Sequence, residues 1–191
     1  MIIATRQLGR PDGRNLYYKD RQFENVWGGA TSEWLQSSYL DVDQRAGYFQ
    51  VAYSSAPAMV MRTLGAGSKY PVAYRDANGN FLNGSNTYKL HLPPNPPAAL
   101  FWAVTAYNIT DGTMVETPQQ MPSINGFNKV ATNSDGSVDL WFGPSKPASA
   151  SDSNFIQTVG GRNFLVALRL YGTGVEFFDQ TWKPDDVVKV N

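Results

Sequence analysis

Arg169 is the residue whose surroundings point most clearly to chemistry. It lies in the strongly apolar stretch 164–171, and strand alternation would place it on one face with Leu165 and Tyr171. An unpaired buried charge costs several kcal/mol, so the guanidinium requires a carboxylate or a polar cavity. Two interpretations follow: an ion pair with an acidic residue such as Asp179, or an anchor for an anion or carboxylate in a ligand pocket.

A second arginine and three aromatic residues complete the predicted ligand-binding set, namely Arg45, Tyr70, Tyr74 and Trp141. Trp141 shares the polar face of its strand with Asp139, where its ring could stack on a sugar, form a self-association contact, or pack across strands. Arg45 lies four residues after Asp41 on a predicted helix. That spacing favours a surface ion pair, although Arg45 could also point into a cleft between helix and sheet.

Nucleophilic catalysis has little support in the residue types. The chain has no cysteine and a single histidine, so a Ser-His-Asp triad would have to be built around His91. No Gly-x-Ser-x-Gly elbow occurs. Because His91 shares its predicted strand face with Thr87 and Lys89, we expect a solvated rim position rather than the role of a catalytic base.

Metal and cofactor sites are also weakly supported. The absence of cysteine excludes a zinc site built on sulfur. Oxygen ligands for calcium could come from four aspartates, Asp135, Asp139, Asp185 and Asp186. Residues 133–136 are more simply a hairpin turn, and the glycines of 65–68 follow a predicted helix, the reverse of a nucleotide-binding loop. We therefore predict no metal and no cofactor.

Composition is that of a globular chain. The 191 residues include 16 Lys plus Arg and 16 Asp plus Glu, and this zero net charge argues against a nucleic-acid partner. No window approaches the roughly 20 apolar residues of a membrane helix. Residues 1–14 are too polar for a secretory signal, which leaves a cytoplasmic protein or the mature chain of a periplasmic or secreted one.

Turn-forming residues divide the chain into three predicted parts. Residues 1–30 are interpreted as an extended arm with room for one short strand. Residues 31–66 have helical character and are expected to pack on the third part, a β-sandwich over residues 67–191. Three short helices are predicted. The first has a cap at Thr31 or Ser32 and runs through Trp34, the second follows an aspartate cap at 41 or 43, and the third spans 57–64.

Six strands are predicted in the sandwich, at residues 70–75, 87–92, 100–107, 137–142, 164–171 and 187–190. Trp102, Tyr107 and Trp182 are expected in the core, with their polar tips at its edge. Many short strands, with helices confined to one early stretch, predict a mainly β fold. The specific prediction is a jelly-roll-like β-sandwich with a short helical segment near the N-terminus.

Several motifs occur in a fixed order along most of the chain: DQRAG at 43–47, PAM at 57–59, GAGSKY at 65–70, FW at 101–102, NSDGS at 133–137, FGP at 142–144, LRLYG at 168–172 and FDQTWKP at 178–184. In this order they resemble the domain of unknown function 1214, over about residues 40–190. That domain usually forms the C-terminal half of bacterial proteins whose N-terminal half is the domain of unknown function 1254. The resemblance implies a jelly-roll-like β-sandwich and implies little about activity.

Two positions depart from the family's pattern. Asn108 stands where the family has an acidic residue, and Asp111-Gly112-Thr113 stands where it has a Thr-Arg-Ser-like step. A site that needs that carboxylate or that arginine would lack it here. The usual N-terminal partner domain is also missing from this chain, so a partner subunit or self-association would have to take its place.

Three functional hypotheses stay open at this point. The first, which we rank highest, is a binding module for a small ligand or carbohydrate in an aromatic and polar cleft. The second is a metal-independent hydrolase or lyase that uses Asp, Tyr and Arg for acid–base chemistry. The third is a structural subunit that assembles through exposed aromatic residues or edge strands. The expected partners are accordingly a small molecule or glycan, a further copy of the chain, or a partner domain.

Overall fold

The structure is a computed structural model that describes residues 16–25, 33–35, 37–51, 57–60 and 62–190. In these ranges the strands are, in chain order, β1 (Phe23–Asn25), β2 (Ser68–Lys69), β3 (Pro71–Ala73), β4 (Thr87–Leu92), β5 (Ala98–Asn108), β6 (Ser123–Asn125), β7 (Val138–Gly143), β8 (Phe155–Gln157), β9 (Phe164–Thr173) and β10 (Val188–Val190). The helices are α1 (Val42–Val51), α2 (Pro57–Val60) and α3 (Val175–Phe178), and a 3-10 turn covers Asp152–Asn154.

The strands form two sheets. The first has the order β1-β3-β9-β5-β6, with β2 paired to the C-terminal part of β9, and the second has the order β10-β4-β7-β8. Neighbouring strands are antiparallel except β7 and β8, which are parallel. The long strands β5 and β9 lie side by side, with Ala103 opposite Arg169 and Tyr107 opposite Leu165. This register determines which side chains surround the arginine.

The two sheets share one hydrophobic core because their strands alternate between buried and more exposed positions. In β4 the side chains of Tyr88, Leu90 and Leu92 are buried, while the residues between them are half-buried. Buried residues of β5, β7 and β9 belong to the same core. Each fully buried large apolar side chain contributes about 1.5–3 kcal/mol to folding. The prediction of a mainly β chain with two packed sheets is therefore confirmed.

Most strand predictions are close to the observed bounds. The strand at 87–92 is confirmed residue for residue, and the two predicted central strands extend to the full lengths of β5 and β9. Strands β2, β6 and β8 were not predicted, because strands of two or three residues are too short to show a two-residue period.

Two helix predictions are wrong. Trp34 has a φ of +61°, and Leu35 pairs with Leu40 in an isolated β-bridge. Residues 33–35 and 37–40 therefore form no helix. The predicted caps Thr31 and Ser32 lie outside the described residues. Helix is also not confined to the early part of the chain, since α3 follows β9. Four residues are too few to show a helical period, which explains why α3 was not predicted.

Residues 16–25 are joined to the C-terminal segment of the chain. The ring of Tyr17 stacks on Phe177 with centroids 4.6 Å apart, and the backbone N–H of Gln22 donates to Asp186 Oδ1 at 2.6 Å. These residues belong to the predicted extended arm, whose other residues lie outside the described ranges. The described part of the arm is therefore packed against the sandwich.

The outer face of the first sheet is partly covered by helix. Tyr48 of α1 and Val60 of α2 pack in a second hydrophobic cluster with Val72 of β3 and Ala167 of β9. The remainder of this face, along β9 and β5, is where polar and aromatic side chains meet.

Candidate ligand-binding site

One guanidinium lies among phenols on the outer face of the six-stranded sheet. Arg169 Nη2 donates a hydrogen bond to the Tyr107 hydroxyl, and Arg169 Cζ lies 5.6 Å from the centroid of the Tyr107 ring. The next residue on this face of β9 is Tyr171, whose ring meets that of Tyr70 edge to face with centroids 6.3 Å apart. We call these four residues the Arg169 cluster. All four are half-buried, so each keeps contact with solvent.

Small neighbours leave room for the arginine on this face. Ala103 lies directly opposite Arg169 on β5, and Ala167, which precedes it on the same face of β9, lies opposite Thr105. Tyr107 is further along β5, so the arginine side chain extends along the strands, past these small residues, to reach its hydroxyl. A bulky residue at position 103 or 167 would occupy that path.

The structure shows no acidic partner for the arginine in the part of the chain that it describes. Among the described residues, no carboxylate forms an ion pair with Arg169. The expected partner, Asp179, instead accepts hydrogen bonds from the Thr181 backbone at 3.0 Å and the Thr181 hydroxyl at 2.7 Å, and these bonds lower its pKa. The predicted ion pair is therefore wrong, because the turn after α3 holds Asp179 locally.

Tyr70 links the cluster to strand β2. Its hydroxyl accepts a hydrogen bond from the Ser68 hydroxyl. Burial raises the pKa of Tyr70, the hydrogen bond from Ser68 lowers it, the neighbouring Tyr171 raises it, and the Arg169 charge lowers it by a smaller amount. The net effect is a raised pKa, so the phenol stays protonated at neutral pH and can donate a hydrogen bond.

A row of aromatic rings leads from solvent to the cluster. Phe127, which is 76% exposed, lies 5.0 Å from Phe101 between ring centroids. Phe101 in turn stacks on Tyr171 with centroids 4.2 Å apart and an interplanar angle of 14°. We call Phe127, Phe101, Tyr171 and Tyr70 the aromatic row. It shares two members with the Arg169 cluster, so an apolar surface adjoins the charged group.

The structure separates the five residues predicted for the site. Tyr70 and Arg169 lie close together in the cluster. Tyr74 is buried in the hydrophobic cluster of Tyr48 and Val72, where burial raises its pKa and the charge of Glu24 raises it further. Arg45 is exposed on α1, and no hydrogen bond or ion pair among the described residues joins its side chain to the Arg169 cluster.

Trp141 lies on the other sheet, on the face directed away from the core. It stands opposite Lys89 and Phe155, and Lys89 Nζ is 5.8 Å from the centroid of its ring. Next to it, Asp139 Oδ1 is 2.7 Å from His91 Nδ1, and Asp139 Oδ2 is 3.3 Å from Lys89 Nζ. We call Lys89, His91, Asp139 and Trp141 the Trp141 face. The hydrophobic core separates it from the Arg169 cluster.

His91 and Asp135, which were considered for a catalytic triad and for a calcium site, each bond a neighbouring residue. His91 is half-buried beside Asp139, and no hydroxyl group of the described residues bonds its imidazole. Asp135 accepts hydrogen bonds from the Ser137 backbone and hydroxyl in the turn before β7. The described residues contain no group of three or more His, Asp or Glu residues that could hold a metal ion.

In the ranges that the structure describes, no helix has the length and apolar character needed to cross a membrane.

Residues 67–175, which run from β2 to the start of α3 and include the whole Arg169 cluster, match the family model described as Protein of unknown function (DUF1214). The chain belongs to this family. The match covers more than half of the chain and confirms the resemblance, over a narrower range than the sequence motifs indicated. No curated protein matches the chain.

Two solved structures resemble this DUF1214 protein. The VPA0106 protein from Vibrio parahaemolyticus is 18% identical with a TM-score of 0.62, over 85% of this chain and 40% of that one. An uncharacterised protein from Burkholderia cenocepacia is 13% identical with a TM-score of 0.40, over 82% of this chain and 44% of that one. The chain therefore spans less than half the length of either. The first similarity shows a shared fold.

Four residues of the site were absent from the predicted binding set, namely Tyr107, Tyr171, Phe101 and Phe127. Tyr107 was expected to pack in the core with its polar tip at the edge; its ring does pack against the second hydrophobic cluster, but its hydroxyl accepts from Arg169 on the outer face, a contact that was not predicted. Phe101 and Phe127 were not singled out. Their proximity depends on the pairing of β5 with β9 and on the turn after β6, and no local pattern reports either.

The two departures from the family pattern meet in one turn beside Tyr107. Asn108 is buried, and its Nδ2 donates to Thr113 Oγ1 at 3.0 Å, while Asp111 Oδ1 accepts from the same hydroxyl at 2.7 Å. These polar groups satisfy one another. Among the described residues, no hydrogen bond or ion pair joins the side chains of this turn to Arg169.

Proposed function

We propose that this DUF1214 protein is a binding module for a small ligand with a carboxylate or similar anionic group, held by the Arg169 cluster on a jelly-roll-like β-sandwich. One observation carries the proposal: a half-buried guanidinium on the outer face of the six-stranded sheet has a phenol, and no carboxylate of the described residues, as its partner. Removing this charge from water has a cost that a ligand anion would offset.

The chemistry of the cluster suits an anion. The guanidinium offers several N–H donors in a fixed plane, which matches the two oxygens of a carboxylate. The Tyr107 hydroxyl accepts from Arg169 and so keeps its own hydrogen for donation to a ligand. Tyr70, whose pKa is raised mainly by burial, is a second protonated hydroxyl close to the arginine. The guanidinium and the Tyr107 hydroxyl would converge on one negatively charged group.

Ligand binding is supported better than acid–base catalysis. A hydrolase or lyase built on Asp, Tyr and Arg requires a group that accepts a proton near neutral pH. The raised pKa of Tyr70 makes it a poor base there, and the described residues place no Asp side chain within hydrogen-bond distance of Arg169 or Tyr70. The cluster therefore resembles an anchor more than a proton relay.

A carbohydrate is a second candidate ligand, and it would use the Trp141 face. Trp141 is half-buried beside Lys89, with His91 and Asp139 next to it, so a flat ring borders several polar groups. Such a surface is suited to stacking on a sugar ring while hydrogen-bonding its hydroxyls. A glycan array with wild type and Trp141→Ala tests it, and unchanged glycan binding in the variant would reject this surface.

The anion site is tested by calorimetric titration with a panel of monocarboxylates, each paired with its uncharged amide. We expect the acids to bind and to raise the melting temperature, and the amides to do neither. Arg169→Gln should weaken carboxylate binding about 10- to 100-fold, because hydrogen bonds to a charged group contribute about 1.5–3 kcal/mol. Arg162→Gln, at an exposed arginine in another turn, serves as the control. Equal affinities for wild type and Arg169→Gln would contradict the proposal.

A further inference from the structure

The aromatic row places a continuous surface of rings beside the proposed anion site. Its rings are in consecutive contact, with centroid separations of 5.0, 4.2 and 6.3 Å from Phe127 to Tyr70. Aromatic pairs at such separations contribute favourably beyond the area they bury. The row therefore presents a continuous aromatic surface beside the guanidinium.

The exposed end of the row is held in place by its backbone. In the turn after β6, the Phe127 N–H donates to Asn125 Oδ1 at 3.0 Å, and the Gly126 N–H donates to the Trp102 carbonyl at 2.9 Å. A Cβ atom at Gly126 would lie 3.0 Å from Trp102 Nε1, so the turn packs closely against that indole. The turn therefore positions the backbone of Phe127, whose ring is 76% exposed and lies against Phe101, where a ligand can reach it.

The distance between ring surface and charge is short. Arg169 and Tyr171 project from the same face of β9, about 7 Å apart along the strand. Phe101 lies directly across from Tyr171 on β5. A ligand that engages the guanidinium therefore has two aromatic rings within the length of a small molecule, and Phe127 lies beside them.

From this geometry we infer that the ligand is an aromatic carboxylic acid, with its carboxylate on Arg169 and its ring against Phe101 and Phe127. Phe101 and Phe127 are then the residues that determine specificity. The inference rests on the proposed function, since it assumes that Arg169 holds the anion. It adds a ring system to the ligand, which the guanidinium alone does not require.

The test compares phenylacetate with cyclohexylacetate, which has the same charge and a similar size without an aromatic ring. In the wild-type chain, calorimetric titration should give phenylacetate about three- to tenfold higher affinity than cyclohexylacetate. Phe127→Ala should reduce that preference to less than twofold. Phe127 is exposed, so this variant keeps the core intact. Phe101→Leu should act in the same direction, and Val188→Ala, at an exposed site on β10, should leave the preference unchanged.

The possible outcomes distinguish the aromatic preference from the proposed anion binding at Arg169. If both acids bind equally well and both lose affinity in Arg169→Gln, the aromatic preference is wrong while the anion site stands. If a preference exists but Phe127→Ala retains it in full, the role of the aromatic row is wrong. If neither acid binds to the wild-type chain while other monocarboxylates of the panel do, the inference is wrong and the anion site stands; if no member of the panel binds, the proposed function fails and the inference fails with it.

Discussion

The outer faces of the two sheets place similar groups side by side and use them differently. On the Trp141 face, a lysine and a histidine lie beside an aromatic ring, and Asp139 pairs with both. In the Arg169 cluster, an arginine lies beside aromatic rings, and a phenol takes the place of the carboxylate. A neutral partner leaves the positive charge available to a ligand, whereas a carboxylate consumes it. If the Arg169 cluster binds an anion as proposed, the charge balance, rather than the presence of a cation, is what distinguishes the two faces.

The largest loss of carboxylate affinity is expected when a carboxylate is added next to Arg169, because the two faces then have the same charge balance. Ala103 lies opposite the arginine, so Ala103→Asp would give the cluster the internal ion pair that the Trp141 face has. We expect carboxylate affinity, measured by calorimetry, to fall at least about 100-fold, because a like charge close to a bound anion costs several kcal/mol.

Ala103→Asn is the matched control for that substitution. It introduces the same shape at the same buried position without the charge. The ratio of affinities between the two variants therefore isolates electrostatics from any change in packing. If Asn and Asp reduce binding equally, the loss comes from packing, and the comparison between the faces has no electrostatic basis.

Removal of the phenol partner should have an intermediate effect. Tyr107→Phe deletes the hydroxyl that accepts from Arg169 and would donate to the ligand. We expect carboxylate affinity to fall about five- to tenfold, in line with about 1 kcal/mol for one hydrogen bond. The exposed Tyr39 provides the control as Tyr39→Phe, which should bind like wild type. Full affinity in Tyr107→Phe would mean that the guanidinium acts without it.

The smallest expected effect is a change in the pH dependence of folding stability, caused by Asp139 on the Trp141 face. Burial raises the pKa of Asp139, but hydrogen bonds from His91 and Lys89 outweigh it and bring the pKa below its ordinary value of 3.8. The unfolded chain then binds the proton more tightly than the folded one. The stabilisation is therefore present above about pH 4 and is lost as pH falls through the folded-state pKa.

Urea unfolding between pH 3 and pH 6 measures this contribution. Asp139→Asn should lower the free energy of unfolding at pH 6 by about 0.5 kcal/mol and flatten its fall toward pH 3. The same variant should leave carboxylate binding at the Arg169 cluster unchanged, since the core lies between the two faces. A change in that affinity would show that the faces are coupled.

The sequence predicts which residues of one strand share a face, but it does not predict which residues of different strands come together in the site. Alternation along 164–171 correctly places Arg169 and Tyr171 on one face, and their separation from the core follows from the same pattern. Tyr107 shows the limit of this reasoning. It lies in a strand that is apolar on both faces, so only its pairing with Leu165 of β9 indicates which face it occupies.

The same limit explains why three predicted residues, Arg45, Tyr74 and Trp141, lie outside the Arg169 cluster. Each has a residue type suited to binding, but the strand order puts Trp141 on the second sheet and the packing of α1 covers Tyr74. Pairing between distant strands is set by the total burial of many side chains. A single local pattern does not contain that information.

The sequence by itself determined the family, the mainly β character, the central strands and the demand of Arg169 for a polar partner. These follow from residue order, from two-residue periodicity and from the cost of burying a charge, which are all local properties. Only the tertiary structure decided that the partner is Tyr107 rather than Asp179, and that Phe101 and Phe127 lie beside it. The physical reason is that strand register and turn packing join residues far apart in the chain, and the free energy that selects them is shared across the whole core.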